Sequence, residues 1–315
     1  MKIFYYLLIF STLFLFFSCT EKKEIISENA RVFFSEGEAV VTNMRCSSAH
    51  FSPDGKSIAY SGEKFRGIYV KDLEKGELTV ISEDEGTGWG FAWSPDSGGI
   101  AFRKKKDEKN GVSYAIYKRS LDSEKNELVG VFEETVQPPL WRDTIYSVKL
   151  ESFSNITLAV KPPTLLRNPP PSLRVNAFVS DNRISLIDIK TGKVKNLEKG
   201  THAPAISKDG KKLIYVHYDT IKILDLETRE KKIIGKGTSP SWRYDGKEII
   251  YNHSVDNGKN VIFSEIRIYS TITGKTEAIR PSSSEIPIYP SLSPDGKKIV
   301  FTDALTGHLF IMERE

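Results

Sequence analysis

The chain is poor in the residues that most catalytic and metal sites require. It has two cysteines, Cys19 and Cys46, and five histidines among 315 residues. It contains no GxSxG, HExxH, CxxC or phosphate-loop motif, and no two histidines have the spacing of metal ligands. We therefore expect neither a metal nor a cofactor, and no sequence motif indicates an enzyme.

An excess of charge of one sign is also missing. The chain has 45 basic and 41 acidic residues, a net charge of +4, whereas nucleic-acid recognition requires a concentrated basic surface. One basic cluster, Arg103–Lys106, is followed directly by Asp107 and Glu108, which is typical of a solvated loop. Nucleic acid is not expected as a partner.

Long hydrophobic runs are absent except at the N-terminus. Lys2 precedes an apolar run from Ile3 to Phe17, which is shorter than the roughly 20 residues of a membrane span. We interpret residues 1–18 as an export signal. Phe16 to Cys19 resembles a bacterial lipobox, so Cys19 is the predicted lipidation site and 19–30 a lipidated tether. The alternative is an ordinary cleaved signal followed by an incidental cysteine.

Lipidation at Cys19 has consequences for the other cysteine and for localisation. Cys46 would have no partner, so no intrachain disulfide is expected despite export. Thr20 is not the aspartate that retains lipoproteins in the inner membrane under the enteric-type rule. We therefore expect a bacterial cell-envelope protein anchored by its lipid in the outer membrane, facing the periplasm or the cell surface.

The remaining chain, 31–315, is dominated by one repeated phrase. Each copy has a short strand, a turn of the Ser-Pro-Asp-Gly type, and a second strand with period-2 apolar alternation. A third strand and a Gly-containing turn into a fourth follow in most copies. The copies begin at His50, Ala92, Ala205, Ser241 and Ser291, with a degenerate one at Leu140. Six local four-stranded antiparallel units predict an all-β, six-bladed β-propeller.

Alignment of the copies gives columns that support this architecture. The first strand of each copy ends in an anchor residue; the anchors are Phe51, Trp93, Trp141, Ile206, Trp242 and Leu292. Two residues earlier, proline occurs in four copies, as Pro139, Pro204, Pro240 and Pro290. Proline is confined to edge strands, strand starts and bulges. The first strand is therefore predicted to be the inner edge that faces the channel of a propeller.

The last copy ends after its third strand. Gly37–Thr42 reads like the fourth strands of other copies, so we predict that it completes the C-terminal blade and closes the ring. The interval between Trp141 and Ile206 is 65 residues and includes a proline-rich segment at about 150–175. We interpret this segment as an insertion in the third of six blades; the alternative is a worn seventh blade.

Equivalent positions of different blades converge on the ring axis, so the starts of the inner strands are where a site is expected. Residues four before the anchors include Trp89, Gln137, His202 and Ile288, and Tyr289 directly follows Ile288. His50 stands one before its anchor, where other copies have mostly small residues. We therefore predict binding by these channel-rim candidates: His50, Trp89, Gln137, His202 and Tyr289. The alternative is that they only plug the channel.

The repeats resemble a known family. HFSPDGKSIAYSG followed by IYVKDL, and SLSPDGKKIVFTD near the C-terminus, look like the WD40-like PD40 repeat of TolB-type six-bladed propellers. The resemblance covers nearly the whole mature chain. TolB carries an α/β domain before its propeller, and here only a short tether precedes it, so the TolB role in the Tol-Pal system is not implied. Pectate-derived oligosaccharide lyases also resemble this fold, and they use channel-facing His and Gln with a divalent metal.

Two functional hypotheses follow. The first is a non-catalytic, lipid-anchored envelope propeller that binds a protein or a glycan, and the missing catalytic motifs favour it. The second is an oligosaccharide-active lyase or hydrolase with its site at the channel mouth, for which His202 and Gln137 are residues of the right type. The aspartates of the Ser-Pro-Asp-Gly turns are expected to be structural and not calcium ligands.

Overall fold

The computed structural model describes residues 32–108, 111–132, 139–141, 145–146, 148–150, 156–158, 175–188, 191 and 193–314. The predicted signal, the tether with Cys19, the rim candidate Gln137 and most of the proline-rich segment lie outside these ranges. Within them the regular structure is β-strand apart from one helical turn, Glu63–Phe65. No helix in the described ranges is both long and apolar enough to cross a bilayer.

The chain begins with two short strands, β1 (Val32–Ser35) and β2 (Gly37–Val41), and then forms two blades. The strands of the first blade are β3 (Cys46–Phe51), β4 (Ser57–Gly62), β5 (Ile68–Asp72) and β6 (Leu78–Ser82). The strands of the second are β7 (Phe91–Trp93), β8 (Gly99–Glu108), β9 (Gly111–Ser120) and β10 (Glu127–Phe132).

The third blade is described in pieces. Two strand pairs come first: β11 (Leu140–Trp141) with β12 (Ile145–Tyr146), and β13 (Val148–Leu150) with β14 (Ile156–Leu158). A three-stranded sheet follows, made of β15 (Val175–Ser180), β16 (Arg183–Asp188) and β17 (Val194–Lys199). These three have the spacing of the second, third and fourth strands of the other blades.

The last three blades are regular. The fourth contains β18 (Thr201–Ile206), β19 (Lys212–His217), β20 (Thr220–Asp225) and β21 (Lys231–Lys236). The fifth contains β22 (Thr238–Trp242), β23 (Glu248–Asp256), β24 (Val261–Ser270) and β25 (Thr276–Pro281). The sixth contains β26 (Pro287–Leu292), β27 (Lys298–Asp303) and β28 (Leu309–Glu313). The predicted six-bladed propeller of antiparallel blades is confirmed.

The ring closes as the sequence predicts. Strand β2 pairs antiparallel with β28 and becomes the outer strand of the sixth blade, with Gly37 opposite Met312 and Val41 next to Leu309. A second N-terminal contact is not predicted: β1 pairs in parallel with β25, from Val32 opposite Ala278 to Ser35 opposite Pro281. The N-terminal segment therefore covers the outer edges of two neighbouring blades.

The hydrophobic core lies in layers between neighbouring blades. Its largest members are the aromatic residues of the second strands, all fully buried: Tyr60, Phe102, Tyr215, Tyr251 and Phe301. The layer between the sixth and first blades also contains Cys46, whose thiol is buried and free. Burial raises the pKa of Cys46 to about 12, so the thiol stays protonated at neutral pH. Cys46 is the first residue of the inner strand β3 and packs in this layer.

The turns between first and second strands confirm a structural role for their aspartates. In four of them the serine hydroxyl donates to the aspartate carboxylate at 2.5–2.6 Å; the pairs are Ser52–Asp54, Ser94–Asp96, Ser207–Asp209 and Ser293–Asp295. The same hydroxyl accepts the backbone N–H five residues later, as Ser293 does from Lys298 at 2.8 Å. In the fifth blade Arg243 replaces the serine and pairs with Asp245. Each of these carboxylates therefore has its hydrogen-bond partner within its own turn.

Candidate functional site

Strand register defines two different faces of the ring. The end of each second strand lies opposite the start of the first strand, as where Asp303 pairs with Pro287 and His217 with Thr201. The connections between second and third strands therefore share one face with the starts of the inner strands, and we call this the rim face. The opposite face carries the Ser-Pro-Asp-Gly turns, and we call it the turn face.

A β-bulge recurs at the start of the inner strands. In four blades two inner-strand residues oppose one buried aromatic residue; for example, Tyr289 and Pro290 lie opposite Phe301. The first residue of each bulge is left-handed, with φ between 49° and 53°, at Ser48, Ala203, Ser239 and Tyr289. The second blade has Gly90 with φ 87° at this position. Because the second bulge residue needs no ladder N–H, the bulge explains the proline column.

The inner-strand tryptophans connect neighbouring blades. Trp242 Nε1 donates to the backbone carbonyl of Ala205 at 2.9 Å, and Trp93 Nε1 donates to that of His50 at 3.4 Å. In both cases the acceptor stands one residue before the anchor of the preceding blade. These two tryptophans are therefore part of the scaffold and not of a ligand site.

His50 faces open space and is nevertheless poorly solvated. Its side chain has accessible surface, and its ring meets the Phe91 ring edge-on with centroids 5.9 Å apart. Burial lowers the pKa of His50 to about 4. Accessible surface combined with desolvation is expected of a side chain in a narrow channel surrounded by protein. At neutral pH His50 is thus a neutral imidazole.

Trp89 belongs to a stacked group on the second blade. The Arg103 guanidinium lies 4.4 Å from the centroid of the Trp89 ring and 4.9 Å from that of Tyr114. Arg103 comes from β8 and Tyr114 from β9, so two strands and the loop before β7 meet here. The Arg103 guanidinium contacts both aromatic rings, and stacking on it restricts the motion of the Trp89 indole. Even so, 40% of Trp89 is exposed. Trp89 is therefore a preformed contact surface at the channel mouth.

His202 and Tyr289 lie at the same face on other blades. His202 is exposed at the start of β18, and 44% of the Tyr289 side chain is accessible at the bulge of β26. No hydrogen bond or ring contact in the described ranges joins any two of His50, Trp89, His202 and Tyr289. The structure thus places Trp89, His202 and Tyr289 at the rim face without making them one cluster. His50 lies nearer the turn end of its inner strand, opposite Ala59, and Gln137 is outside the described residues.

Two hairpins project from the rim face, and their length is not predicted by the sequence analysis. Strand β8 continues from Arg103 to Glu108 beyond the start of β7, and β23 from His253 to Asp256 beyond the start of β22. At roughly 3.3 Å per residue these extensions rise about 20 and 13 Å. The expectation that Arg103–Lys106 forms a loop is wrong, because the cluster continues β8. The fifth-blade hairpin turns at Asp256-Asn257-Gly258, where Gly258 N donates to Asp256 Oδ1 at 2.8 Å.

The two hairpins stand on opposite sides of the channel mouth. They belong to the second and fifth blades, which are diametrically opposed in a ring of six. Their extra residues account for long anchor intervals, 48 residues from Trp93 to Trp141 and 50 from Trp242 to Leu292. The interval lengths are therefore the sequence signal that could have located the hairpins.

Exposed aromatic residues occur on the rim face alone among the side chains that the structure describes. They are Phe65, Trp89, Tyr218, Phe263 and Tyr289, each 37–71% exposed. Phe65 and Tyr218 lie between second and third strands, and Phe263 lies in the fifth-blade hairpin. Of the five, only Trp89 and Tyr289 are predicted from the repeat columns.

No group of three or more His, Cys, Asp and Glu residues in the described part of the chain could hold a metal ion.

No family model matches the chain. Among solved structures it is similar to the Cps50 (Swd1) β-propeller domain of Myceliophteria thermophila, with a TM-score of 0.60 and 11% identity over 89% of this chain and 100% of that one. It is also similar to an oligogalacturonate lyase of Vibrio parahaemolyticus, with a TM-score of 0.47 and 14% identity over 87% and 79% of the two chains. TolB of Acinetobacter baumannii matches with a TM-score of 0.46 and 17% identity over 87% and 64%. The similarity to the Cps50 propeller thus supports the expected β-propeller, and at 11% identity it shows the fold only.

Proposed function

We propose that the protein is a non-catalytic envelope module that binds a protein or a glycan on its rim face. The observation that carries the proposal is the distribution of exposed aromatic side chains, which are confined to this face among the described residues. Aromatic residues give large contact area at low entropic cost and are enriched at recognition surfaces. The turn face instead carries serine–aspartate turns whose polar groups are already paired.

The shape of the rim face supports the same proposal. The hairpins of the second and fifth blades stand on either side of the mouth, so a ligand lying across the face would contact both. Trp89 is held in place by Arg103 before any ligand arrives, which reduces the entropy lost on binding. Central, preorganised aromatic residues are those that dominate binding energy in known interfaces.

The test is affinity capture from solubilised envelopes by the full-length protein, with bound protein and carbohydrate both quantified. Trp89→Ala and Tyr218→Ala should each reduce capture of the specific ligand by at least about tenfold, the effect of removing a binding hot spot. Ile272→Ala is the matched control, because Ile272 is 72% exposed on the turn face. Equal losses with all three variants, or no ligand captured above the background, would reject rim-face binding.

One observation favours a catalytic alternative. His202 is exposed at the start of β18, beside the channel mouth, as an oligosaccharide-active lyase or hydrolase would require of a proton-transferring or metal-binding residue. The two functions differ in a measurable way. Stoichiometric Mn, Zn or Ca in the purified protein that is lost in His202→Ala would contradict the non-catalytic proposal.

The membrane anchor is a separate part of the proposal. Its support is the lipobox-like sequence before Cys19 and the position of the first described strand, β1, which begins 13 residues later at Val32. Several acyl chains bind a membrane stably because each buried methylene contributes about 0.8 kcal/mol. Cys19→Ser should release the protein from the membrane fraction, and retention of this variant would refute lipid anchoring.

A further inference from the structure

Three of the exposed aromatic residues on the rim face have a left-handed backbone. The φ angles are 61° at Phe65, 57° at Tyr218 and 52° at Tyr289. In this region the Cβ atom approaches the following carbonyl oxygen, so a bulky residue is strained there and glycine or asparagine is favoured. In the described part of the chain the left-handed aromatic residues all lie on the rim face, whereas the left-handed residues of the turn face are glycines, Ser97 and Arg229.

The repeat does not require an aromatic side chain at these positions. The bulge that contains Tyr289 has Ser48, Ala203 or Ser239 as its left-handed residue in three other blades, and the second blade has Gly90 there. The same backbone is thus built four times with a small residue. The tyrosine of the sixth blade adds strain that the bulge itself does not need.

The folded chain makes little use of the three rings. Their exposed fractions are 37% for Phe65, 71% for Tyr218 and 44% for Tyr289. Among the described residues, only Tyr218 has a ring contact, with His217 at 4.7 Å between centroids, and neither tyrosine hydroxyl has a hydrogen-bond partner. Contacts within the protein therefore do not account for keeping strained aromatic residues here.

The backbone at these rings is nevertheless fixed. Tyr218 N donates to Gly200 O at 3.0 Å, and the Tyr218 ring lies where a Cβ atom on Gly200 would come within 2.7 Å of its Cε1. Gly88 N donates to Phe65 O at 2.9 Å, which places Phe65 beside the Trp89 that follows Gly88. Strained residues that their surroundings hold in place are concentrated in ligand clamps and active sites, and fixed rings lose little entropy on binding.

We propose that the rim face binds a folded protein and that Phe65, Tyr218 and Tyr289 contact it, although each of them lowers the stability of the chain. This inference rests on the rim-face binding proposed above and names the partner. Exposed aromatic residues lie on five different blades around the mouth, so one ligand contacts them all only if it is broad. A folded protein has that breadth, whereas a single glycan chain across the mouth passes over two opposite blades.

The chemistry around the rings indicates what the partner surface presents. Charged residues near them are already paired: Lys104 contacts Asp84 at 2.7 Å, and Lys236 contacts Asp219 at 3.3 Å. The tyrosines instead offer an apolar ring and an available hydroxyl. The matching surface is an apolar patch with hydrogen-bonding groups at its border, which is the usual composition of a protein–protein interface.

The strain is tested by comparing alanine with glycine at each position, for example Tyr218→Ala with Tyr218→Gly. Alanine removes the ring and keeps the strain, whereas glycine removes both; where the backbone is not left-handed, glycine is the less stable of the two. At Phe65, Tyr218 and Tyr289 the glycine variant should therefore melt about 2 °C above the alanine variant. Phe263 has no left-handed backbone and is the control, where alanine should melt higher. Alanine melting higher at all four positions would overturn the proposal.

The contact is tested by photo-crosslinking in the cells that make the protein. A photoreactive phenylalanine replaces Phe65, Tyr218 or Tyr289, one at a time, and Ile272 on the turn face is the control position. Mass spectrometry should identify one and the same protein in the adducts from the three rim positions, and Trp89→Ala should reduce each adduct by at least about tenfold. Different proteins from the three positions, a carbohydrate adduct, no adduct, or an equal yield from position 272 would overturn the proposal.

Capture of that protein by the glycine variants completes the test. Tyr218→Gly and Tyr289→Gly should each reduce capture by at least about tenfold, and a loss in a variant more stable than its alanine counterpart is not caused by unfolding. Unchanged capture by both variants would reject the strained residues as contacts. Capture of a glycan that depends on Trp89 would leave rim-face binding standing and reject the protein partner, whereas no ligand at all would reject both.

Discussion

Residues of one repeat perform different tasks according to where their side chains point. Some residues of the repeat have only structural contacts. The turn serines and the anchor tryptophans hydrogen-bond to backbone groups, and the aromatic residues of the second strands are buried in the core. Trp89, His202 and Tyr289 are exposed at the rim face, whereas His50 lies nearer the turn end of its inner strand. Burial lowers the pKa of His50 to about 4, because protein surrounds much of its ring.

The lowered pKa of His50 predicts a specific pH dependence of stability. The folded protein keeps His50 neutral down to a pKa of about 4, whereas the unfolded chain takes up the proton near 6.5. The stability that the neutral imidazole contributes is therefore complete above pH 6.5 and is lost as pH falls towards 4. His50→Gln cannot take up this proton, so its stability should fall less than that of the wild type between pH 7 and pH 4.5.

Urea unfolding at several pH values measures this difference. The other histidines are present in both proteins, so their contributions cancel in the difference between the two unfolding free energies. The carboxylates of Glu198 and Asp245, whose pKa values ion pairs hold at about 2, lose their contribution at lower pH. Identical pH slopes for His50→Gln and wild type above pH 4.5 would contradict the desolvated position of His50.

At the scale of elements, bulges and hairpins convert a uniform repeat into two unlike faces. The bulge turns residues such as Tyr289 towards solvent at the start of an inner strand. The long second and third strands of blades two and five raise ribbons above the same face. The N-terminal strands have the opposite effect, because β1 and β2 remove exposed edges.

Closure by β2 predicts a stability effect at Val41. This side chain is 5% exposed and packs in the layer that contains Phe51 and Leu309. Val41→Ala removes two buried methyl groups and should lower the free energy of unfolding by about 2 kcal/mol. Val80→Ala is the matched control, since Val80 is 37% exposed on the outer strand of the first blade. Similar losses for both variants in urea unfolding would mean that β2 contributes little to ring closure.

At the scale of the whole molecule, the ring depends on seams between blades. The seam between the fifth and sixth blades contains a charged cluster next to the C-terminus. Arg314 donates to Glu248 at 2.9 and 3.0 Å and also pairs with Glu277, and Arg243 donates to Glu248 at 2.7 Å. These groups are mostly buried, so their attraction is less screened than that of a surface ion pair.

Arg314→Met should therefore destabilise the protein by about 1–3 kcal/mol, because it leaves Glu248 and Glu277 without their shared partner. Lys298→Met is the control: the Lys298–Glu313 pair is 3.5 Å long and exposed, and such pairs contribute about 0–1 kcal/mol. Chemical denaturation of both variants in the same buffer measures the difference. An Arg314→Met effect no larger than that of Lys298→Met would show that the seam does not rely on this cluster.

The sequence by itself determined the blade and the ring closure, and it favoured six blades over the alternative of a worn seventh. These are local properties: turn residues set the hairpins, period-2 alternation sets the strands, and Gly37–Val41 has the pattern of the missing fourth strand. The exposure of Trp89 and Tyr289 followed from alignment of the repeats for the same reason.

Only the tertiary structure decided which side chains share a face and which strand edges stay open. Arg103 joins Trp89 and Tyr114 through contacts between strands and a loop, and no repeat column contains that information. The pairing of β1 with β25 and the confinement of exposed aromatic residues to the rim face depend on how blades are arranged around the axis. Local patterns determine a blade, but a surface formed by several blades exists only once the ring is closed.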